Sequence, residues 1–180
     1  MRNCILVIVV FLSFSSLAQT KDEYKSKFFA QTTFMSVEAG RDFLVGNNFF
    51  VQTGVGLGAG YDVGYNSMSM ALKFSKPIPY LKGSVDWYYN KNNRIDKNRT
   101  LANNSGNYLG IQAKYSFGDN DEYSTSLNRV LVSEAHWGIK RTFGGVMYYK
   151  VQLGVAHFKD YDTTYTEVYP TIGMFIGVTF

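Results

Sequence analysis

A chain of 180 residues has room for one ordinary domain. Its residues are 46% hydrophobic, 17% aromatic and only 18% charged, which excludes a disordered chain. A single cysteine excludes a disulfide-stapled scaffold, and a net charge of +4 without a dense Lys/Arg run argues against a nucleic-acid partner.

The first element is a secretory signal peptide over residues 1–18. Arg2 supplies a positive start, Ile5 to Leu12 an unbroken apolar run, and Ser15, Ser16, Leu17 and Ala18 the small residues before a cut ahead of Gln19. The apolar run is far short of the ~20 residues of a spanning helix. Cys4 falls in the removed segment, so the domain expected over residues 19–180 has no thiolate for a metal or a nucleophile.

From residue 35 onward the sequence alternates with period two, the signature of strands. In chain order the apolar sets are Met35, Val37 and Ala39; Phe49, Val51, Val55, Leu57 and Tyr61; and Met68, Met70, Leu72 and Phe74. Next come Leu81, Val85, Trp87 and Tyr89; Leu109, Ile111, Ala113, Tyr115 and Phe117; and Leu131, Ala135, Trp137, Ile139 and Phe143. The last two are Met147, Tyr149, Val151, Leu153 and Val155, then Ile172, Met174, Ile176, Val178 and Phe180. Eight strands are predicted, most of about 9–11 residues, the length of a tilted strand crossing a bilayer. Gly144-Gly145 suits a tight hairpin. Segments 41–47, 118–129 and 159–167 read as outward loops, whereas the count places the long connection 90–106 at the opposite, periplasmic end. A long connection there conflicts with the usual barrel pattern, which questions the register over 59–80.

Charge placement separates the two faces. The apolar faces carry only Arg141 and His157, both near strand ends, while the opposite faces carry Glu38, Asp86, Glu134 and Lys73, Lys82, Lys114, Lys140, Lys150. A Lys or Arg facing mid-bilayer costs about 2–4 kcal/mol, falling toward zero at the interface. The polar faces are also Gly-rich, and aromatic residues gather at strand ends as in interfacial girdles. Lumenal carboxylates and lysines would then neutralise one another.

The signal peptide, the eight alternating strands and the ending Ile172-x-Met174-x-Ile176-x-Val178-x-Phe180 together resemble a small eight-stranded outer-membrane β-barrel protein of Gram-negative bacteria. The resemblance implies an all-β, antiparallel up-and-down transmembrane barrel in the cell outer membrane. It also implies contact with outer-membrane lipids and lipopolysaccharide, and delivery to the barrel assembly machinery through the strand ending at Phe180. Such barrels serve as adhesins, stability proteins, small pores and lipid-modifying enzymes, so the resemblance fixes location better than activity.

No catalytic, cofactor or metal residue is expected. His136 shares a face with Glu134 and Lys140, where Glu134 could orient it as a base toward Ser84, Ser116 or Thr142. It lacks the His-x-Ser step of outer-membrane deacylases, being followed by Trp137 and Gly138; His157 fails the same test. Two separated histidines make a poor metal site, and the Gly54, Gly56, Gly58, Gly60 series lies on one strand face without a following helix to bind phosphate. The expected role is structural, adhesive or interactive, with Glu38, Lys73, Lys82, Asp86, Lys114, Glu134, His136, Lys140 and Lys150 as a lumenal polar network. The alternatives are an enzyme modifying lipid A or phospholipid, a narrow ion pore, and a soluble periplasmic barrel with the faces reversed.

Overall fold

Alternating side chains force successive residues onto opposite faces of a strand, and a sheet of such strands can satisfy every backbone group by closing on itself. The computed structural model, which describes residues 24–63, 68–71, 77–119, 127–163 and 165–180, closes in this way. Its strands are β1 (Lys27–Thr32), β2 (Ser36–Val45), β3 (Phe49–Gly58), β4 (Gly60–Val63), β5 (Met68–Ala71), β6 (Ile78–Trp87), β7 (Gly106–Ser116), β8 (Val130–Thr142), β9 (Met147–Asp160) and β10 (Thr166–Thr179). A short helix α1 (Lys91–Asp96) and a 3-10 turn at Ala102–Asn104 lie between β6 and β7.

Eight of these strands form a closed barrel in the order β1-β10-β9-β8-β7-β6-β3-β2, every pair antiparallel and every sequential neighbour adjacent. The seam is sealed at Phe180, whose N–H donates to the Phe28 carbonyl at 3.1 Å and whose carbonyl accepts from Phe28 N–H at 3.0 Å. Their rings stack outside the seam, 6.2 Å apart.

Strand membership differs from the sequence reading at three places. The strand expected from Phe49 to Tyr61 ends at Gly58, and Tyr61, expected outward with Phe49 and Leu57, lies in β4 with its ring buried at the far end, because the chain leaves the barrel sheet after Gly58. Residues 68–71 pair with 60–63 in a separate two-stranded sheet and do not enter the barrel; the rest of the expected strand, residues 72–74, lies outside the described residues. The missing barrel strand is β1. Its alternation is blurred by the consecutive Phe28 and Phe29, one exposed and one fully buried, because Phe29 fills lumenal space that a glycine on β2 leaves open. This exchange also moves the first loop. Chain reversal at 46–48, after a β2 that runs to Val45, falls at the near end of the barrel, where Lys27 and Thr179 lie, so 41–47 is not on the side of 118–129. The 88–105 connection and the 143–146 turn share that near end, as the count for 90–106 required. The 33–35 turn lies at the far end, as do the strand ends that the connections 59–77, 117–129 and 161–165 join.

The sheet is strongly staggered. Paired residues followed once round the barrel from Phe29 lead through Gly40, Gly54, Lys82, Lys114, Val132 and Phe158 to Glu167, yet Phe29 itself pairs with Thr179. The shift from 167 to 179 is twelve residues, and stagger of this kind goes with tilted strands. One consequence concerns β10. It pairs with β9 from Thr166 to Val178, but with β1 only from Ile176 to Thr179, so among the described residues its edge over 167–175 has no second strand.

Polarity is inverted relative to a soluble protein. Ile172 is 73% and Ile111 63% exposed on the outer surface, while Lys140 and Asp86 are each 2% exposed inside. Close packing of the lumen requires glycine at Gly40, where a Cβ would lie 2.1 Å from the Thr53 carbonyl oxygen and 2.7 Å from the Phe29 ring. The first neighbour is backbone and cannot swing aside. Gly40→Val should therefore cost about 1–3 kcal/mol of stability in urea titrations of the detergent-solubilised barrel. Gly83→Ala, whose new methyl meets nothing nearer than 4.0 Å, should not lower the midpoint.

Candidate functional site

The side chains that point inward from the eight strands build three layers along the bore. At the near end the 88–105 connection folds over the mouth. Leu101 joins Tyr24, Phe50, Tyr88 and Tyr108 in a buried cluster, with Tyr24 edge-on to Phe50 and Tyr88 at ring distances of 5.5 and 5.4 Å. Tyr24 Oη donates to the Ser105 carbonyl at 3.1 Å, and burial pushes this hydroxyl up to about 12. Asn103 fastens the cover to the wall. Its amide donates to Thr142 Oγ1 (2.9 Å) and the Gly145 carbonyl (2.8 Å), while its Oδ1 accepts from Thr179 Oγ1 (2.7 Å) and Lys27 Nζ (3.0 Å). Asn103 does this at φ 51°, a backbone region that asparagine tolerates better than most residues.

The middle layer holds the ionic network. Glu38 on β2 accepts from Lys82 Nζ on β6 at 3.0 and 3.2 Å, from Tyr80 Oη at 3.2 Å and from Gln31 Nε2 at 3.0 Å. Tyr148 Oη in turn donates to Gln31 Oε1 at 2.8 Å. Asp42 accepts from Lys140 Nζ at 3.2 Å and also from Gln52 Nε2. β2 and β8 are four places apart in either direction round the ring, so the Asp42–Lys140 pair crosses the full width of the lumen. Asp86 lies 3.7 Å from Lys150 Nζ, and the Lys140 and Lys150 ammonium groups sit over the rings of Tyr148 and Tyr108.

His136 stands between two carboxylates, Nδ1 at 3.3 Å from Glu134 and Nε2 at 3.4 Å from Asp86, without the alignment of a hydrogen bond to either. Glu134 is held by Gln152 Nε2 at 2.9 Å. None of the hydroxyls considered as a nucleophile is bonded to His136. Ser84 and Ser116 have no hydrogen-bond partner among the described residues, and Thr142 is engaged with Asn103 and the Met147 carbonyl in the near-end cover. His157 lies on the outer surface. Among the described residues no group of three His, Cys, Asp or Glu side chains is arranged to hold a metal ion.

The far layer is a cavity of about 440 Å³ walled by Glu38, Tyr61, Tyr80, Lys82, Gln112, Lys114, Glu134 and Tyr169, among others. Part of its far mouth is covered by the β4–β5 hairpin, whose Tyr61 packs edge-on against Phe158 at 5.3 Å. Lys114 has no carboxylate partner among the described residues; its ammonium lies 4.1 Å from the centre of the Tyr80 ring.

Of the residues expected in the lumen, Glu38, Lys82, Asp86, Lys114, Glu134, His136, Lys140 and Lys150 therefore line one bore, and Lys73 lies outside the described residues. Asp42 was the member missed. It keeps the inward phase of Glu38 four residues on, and carrying the alternation past Gly40 would have found it. Four carboxylates, Glu38, Asp42, Asp86 and Glu134, then share the bore with four lysines, Lys82, Lys114, Lys140 and Lys150, while Asp160, buried at the far end of β9, accepts from Asn128 Nδ2 at 2.8 Å and the Thr163 N–H at 3.1 Å.

Lys140→Met leaves Asp42 buried without its cation and should destabilise by about 3–5 kcal/mol. Adding Asp42→Leu should recover most of that loss, a coupling read from the urea midpoints of the two singles and the double. The chain matches no protein-family model, no curated protein and no solved structure.

Proposed function

We propose that residues 1–18 direct export and are cleaved, and that residues 19–180 form an integral barrel of a Gram-negative outer membrane. Its role is structural, adhesive or interactive, with no catalytic activity. One observation carries this reading: the barrel presents its apolar side chains outward and buries its charges. Val37, Val55, Ile111, Leu153 and Ile172 are all at least half exposed on successive parts of the wall. In water such a continuous surface would be an aggregation hazard. In acyl chains it is the favourable arrangement, and closure leaves few backbone groups without partners.

Bulky aromatics mark the near rim. Phe43, Phe49, Trp87, Tyr89, Phe143, Tyr149 and Phe180 are all exposed there, and Trp137 Nε1 donates to Tyr89 Oη at 2.8 Å. Arg141 and Arg41 stay in this zone, Arg41 with its guanidinium over the rings of Phe28 and Phe43. Amphipathic rings and snorkelling cations favour a lipid–water boundary. At the far end Arg129 and Asp162 pair in the connections beyond the wall, each shifting the other toward its charged form. The far-end connections 59–77, 117–129 and 161–165 are where a partner or lipopolysaccharide would meet the protein.

The pore alternative fits poorly. An ion would have to pass the Tyr24, Leu101 and Asn103 cover and displace the Asp42–Lys140 pair. Against the enzyme alternative, both His136 nitrogens face carboxylates, and among the described residues no hydroxyl is bonded to them.

Expressed with its leader, the protein should fractionate with the outer membrane, require detergent for release and begin at Gln19. A midwall charge, Ile111→Lys, should cost about 2–4 kcal/mol and reduce the inserted fraction, whereas Lys159→Glu at the far rim should not. Recovery of the wild type in the detergent-free soluble fraction would contradict the proposal.

A further inference from the structure

The stagger of the sheet leaves a lateral gap. β1 ends at Thr32 opposite Ile176, and the chain turns away at 33–35, while β10 runs on to Thr166 with only β9 beside it. The gap opens within the apolar wall: Ile172 and Met174 flank it on β10, and Phe34, 88% exposed, projects from the turn opposite. Pro170, a residue suited to a strand edge without a ladder donor, lies in the same stretch of β10. Behind the gap is the far-layer cavity, which is lined both by these rim residues and by the lumenal polar groups. Its size falls within the range of small-molecule sites.

The polar lining is not neutral toward a ligand. Glu38 already has Lys82, Tyr80 and Gln31, and Glu134 has Gln152. Lys114 has no such carboxylate partner among the described residues. Two further lining atoms, Gln112 Oε1 and Thr171 Oγ1, are buried with no hydrogen-bond partner among the described residues. Buried polar groups left unpaired are costly and are normally satisfied. A single ammonium without a carboxylate on it suits a single negative charge better than a doubly charged phosphate.

We infer that this cavity holds the carboxylate head of a fatty acid against Lys114, with its hydrocarbon leaving sideways between β10 and the β1–β2 turn into the surrounding lipid. The inference rests on the membrane reading above. Thr171 Oγ1 can donate to the carboxylate, and the chain covers the unpaired β10 edge and meets Phe34, Ile172 and Met174. The lateral gap gives the headgroup a route from the membrane, and the covered near end closes the bore on that side.

The test uses the full-length barrel purified from the outer membrane in a neutral maltoside detergent, titrated with 11-(dansylamino)undecanoic acid. Binding should be saturable, with a blue-shifted dansyl emission. Lys114→Met should weaken it about tenfold or more and Thr171→Val by a smaller factor, while Lys159→Met should leave it unchanged. The neutral amide of the same probe should bind wild type no better than the carboxylate binds Lys114→Met. Each variant is first checked for the heat-modifiable gel shift of a folded barrel, and Thr171→Val keeps the test valid if Lys114→Met does not fold. Non-saturable partitioning, equal binding by wild type and a folded Lys114 or Thr171 variant, equal binding of the amide, or a dimer joined through β10 would each overturn the inference. Failure to fractionate with the outer membrane would instead overturn the reading on which it rests.

Discussion

The structure depends on neutralising charge inside a closed cylinder. Three lysines and three carboxylates in a narrow bore are tolerable because they meet, Lys82 at Glu38, Lys150 at Asp86 and Lys140 at Asp42, the last pair across the whole diameter. Coulomb attraction does not make such pairs strongly stabilising by itself, since each ion has been taken out of water. What the pairing does is remove the alternative. With these charges held inside, the outer surface is free to be apolar all the way round. The tyrosines complete the arrangement by placing rings beside ammonium groups and hydroxyls beside amides, as at Tyr148 between Lys140 and Gln31.

The two ends of the bore are treated differently. At the near end Asn103 and Asn104 convert a long connection into a fixed cover, Asn104 exchanging hydrogen bonds with the backbone of Lys25 at 2.9 and 3.0 Å. The far end keeps room. There the twelve-residue stagger lifts β10 past the end of β1, so the same geometric property that tilts the strands also thins the wall beside a polar cavity. The near end of the bore is thus closed, while the chamber at the far end opens to the side.

Much of the barrel was legible in the sequence because alternation is a local property. Leu109 to Phe117 and Ile172 to Phe180 show their inward and outward sides without any tertiary information. β1 escaped because its inward residue Phe29 is as apolar as its outward neighbour Phe28; only the packing of Phe29 on Gly40 distinguishes them. Residues 68–71 misled for the converse reason, since alternation signals a strand but not which sheet it joins. The lumenal lysines were legible by phase, yet their partners were not, because Asp42–Lys140 and Glu38–Lys82 are set by barrel closure. The cavity was invisible for the same reason. It follows from stagger, a sum over all eight pairings.

The central claim, that the apolar wall faces acyl chains, can be read from the protein's own fluorophores. The sequence has two tryptophans, and Trp87 and Trp137 both project from the outer surface. Reconstituted into vesicles of brominated phosphatidylcholine, the unmodified protein should lose most of its tryptophan emission, and aqueous acrylamide should quench the unbrominated sample weakly. Emission insensitive to bromine but readily quenched by acrylamide would mean that this wall faces water, and the account would be wrong.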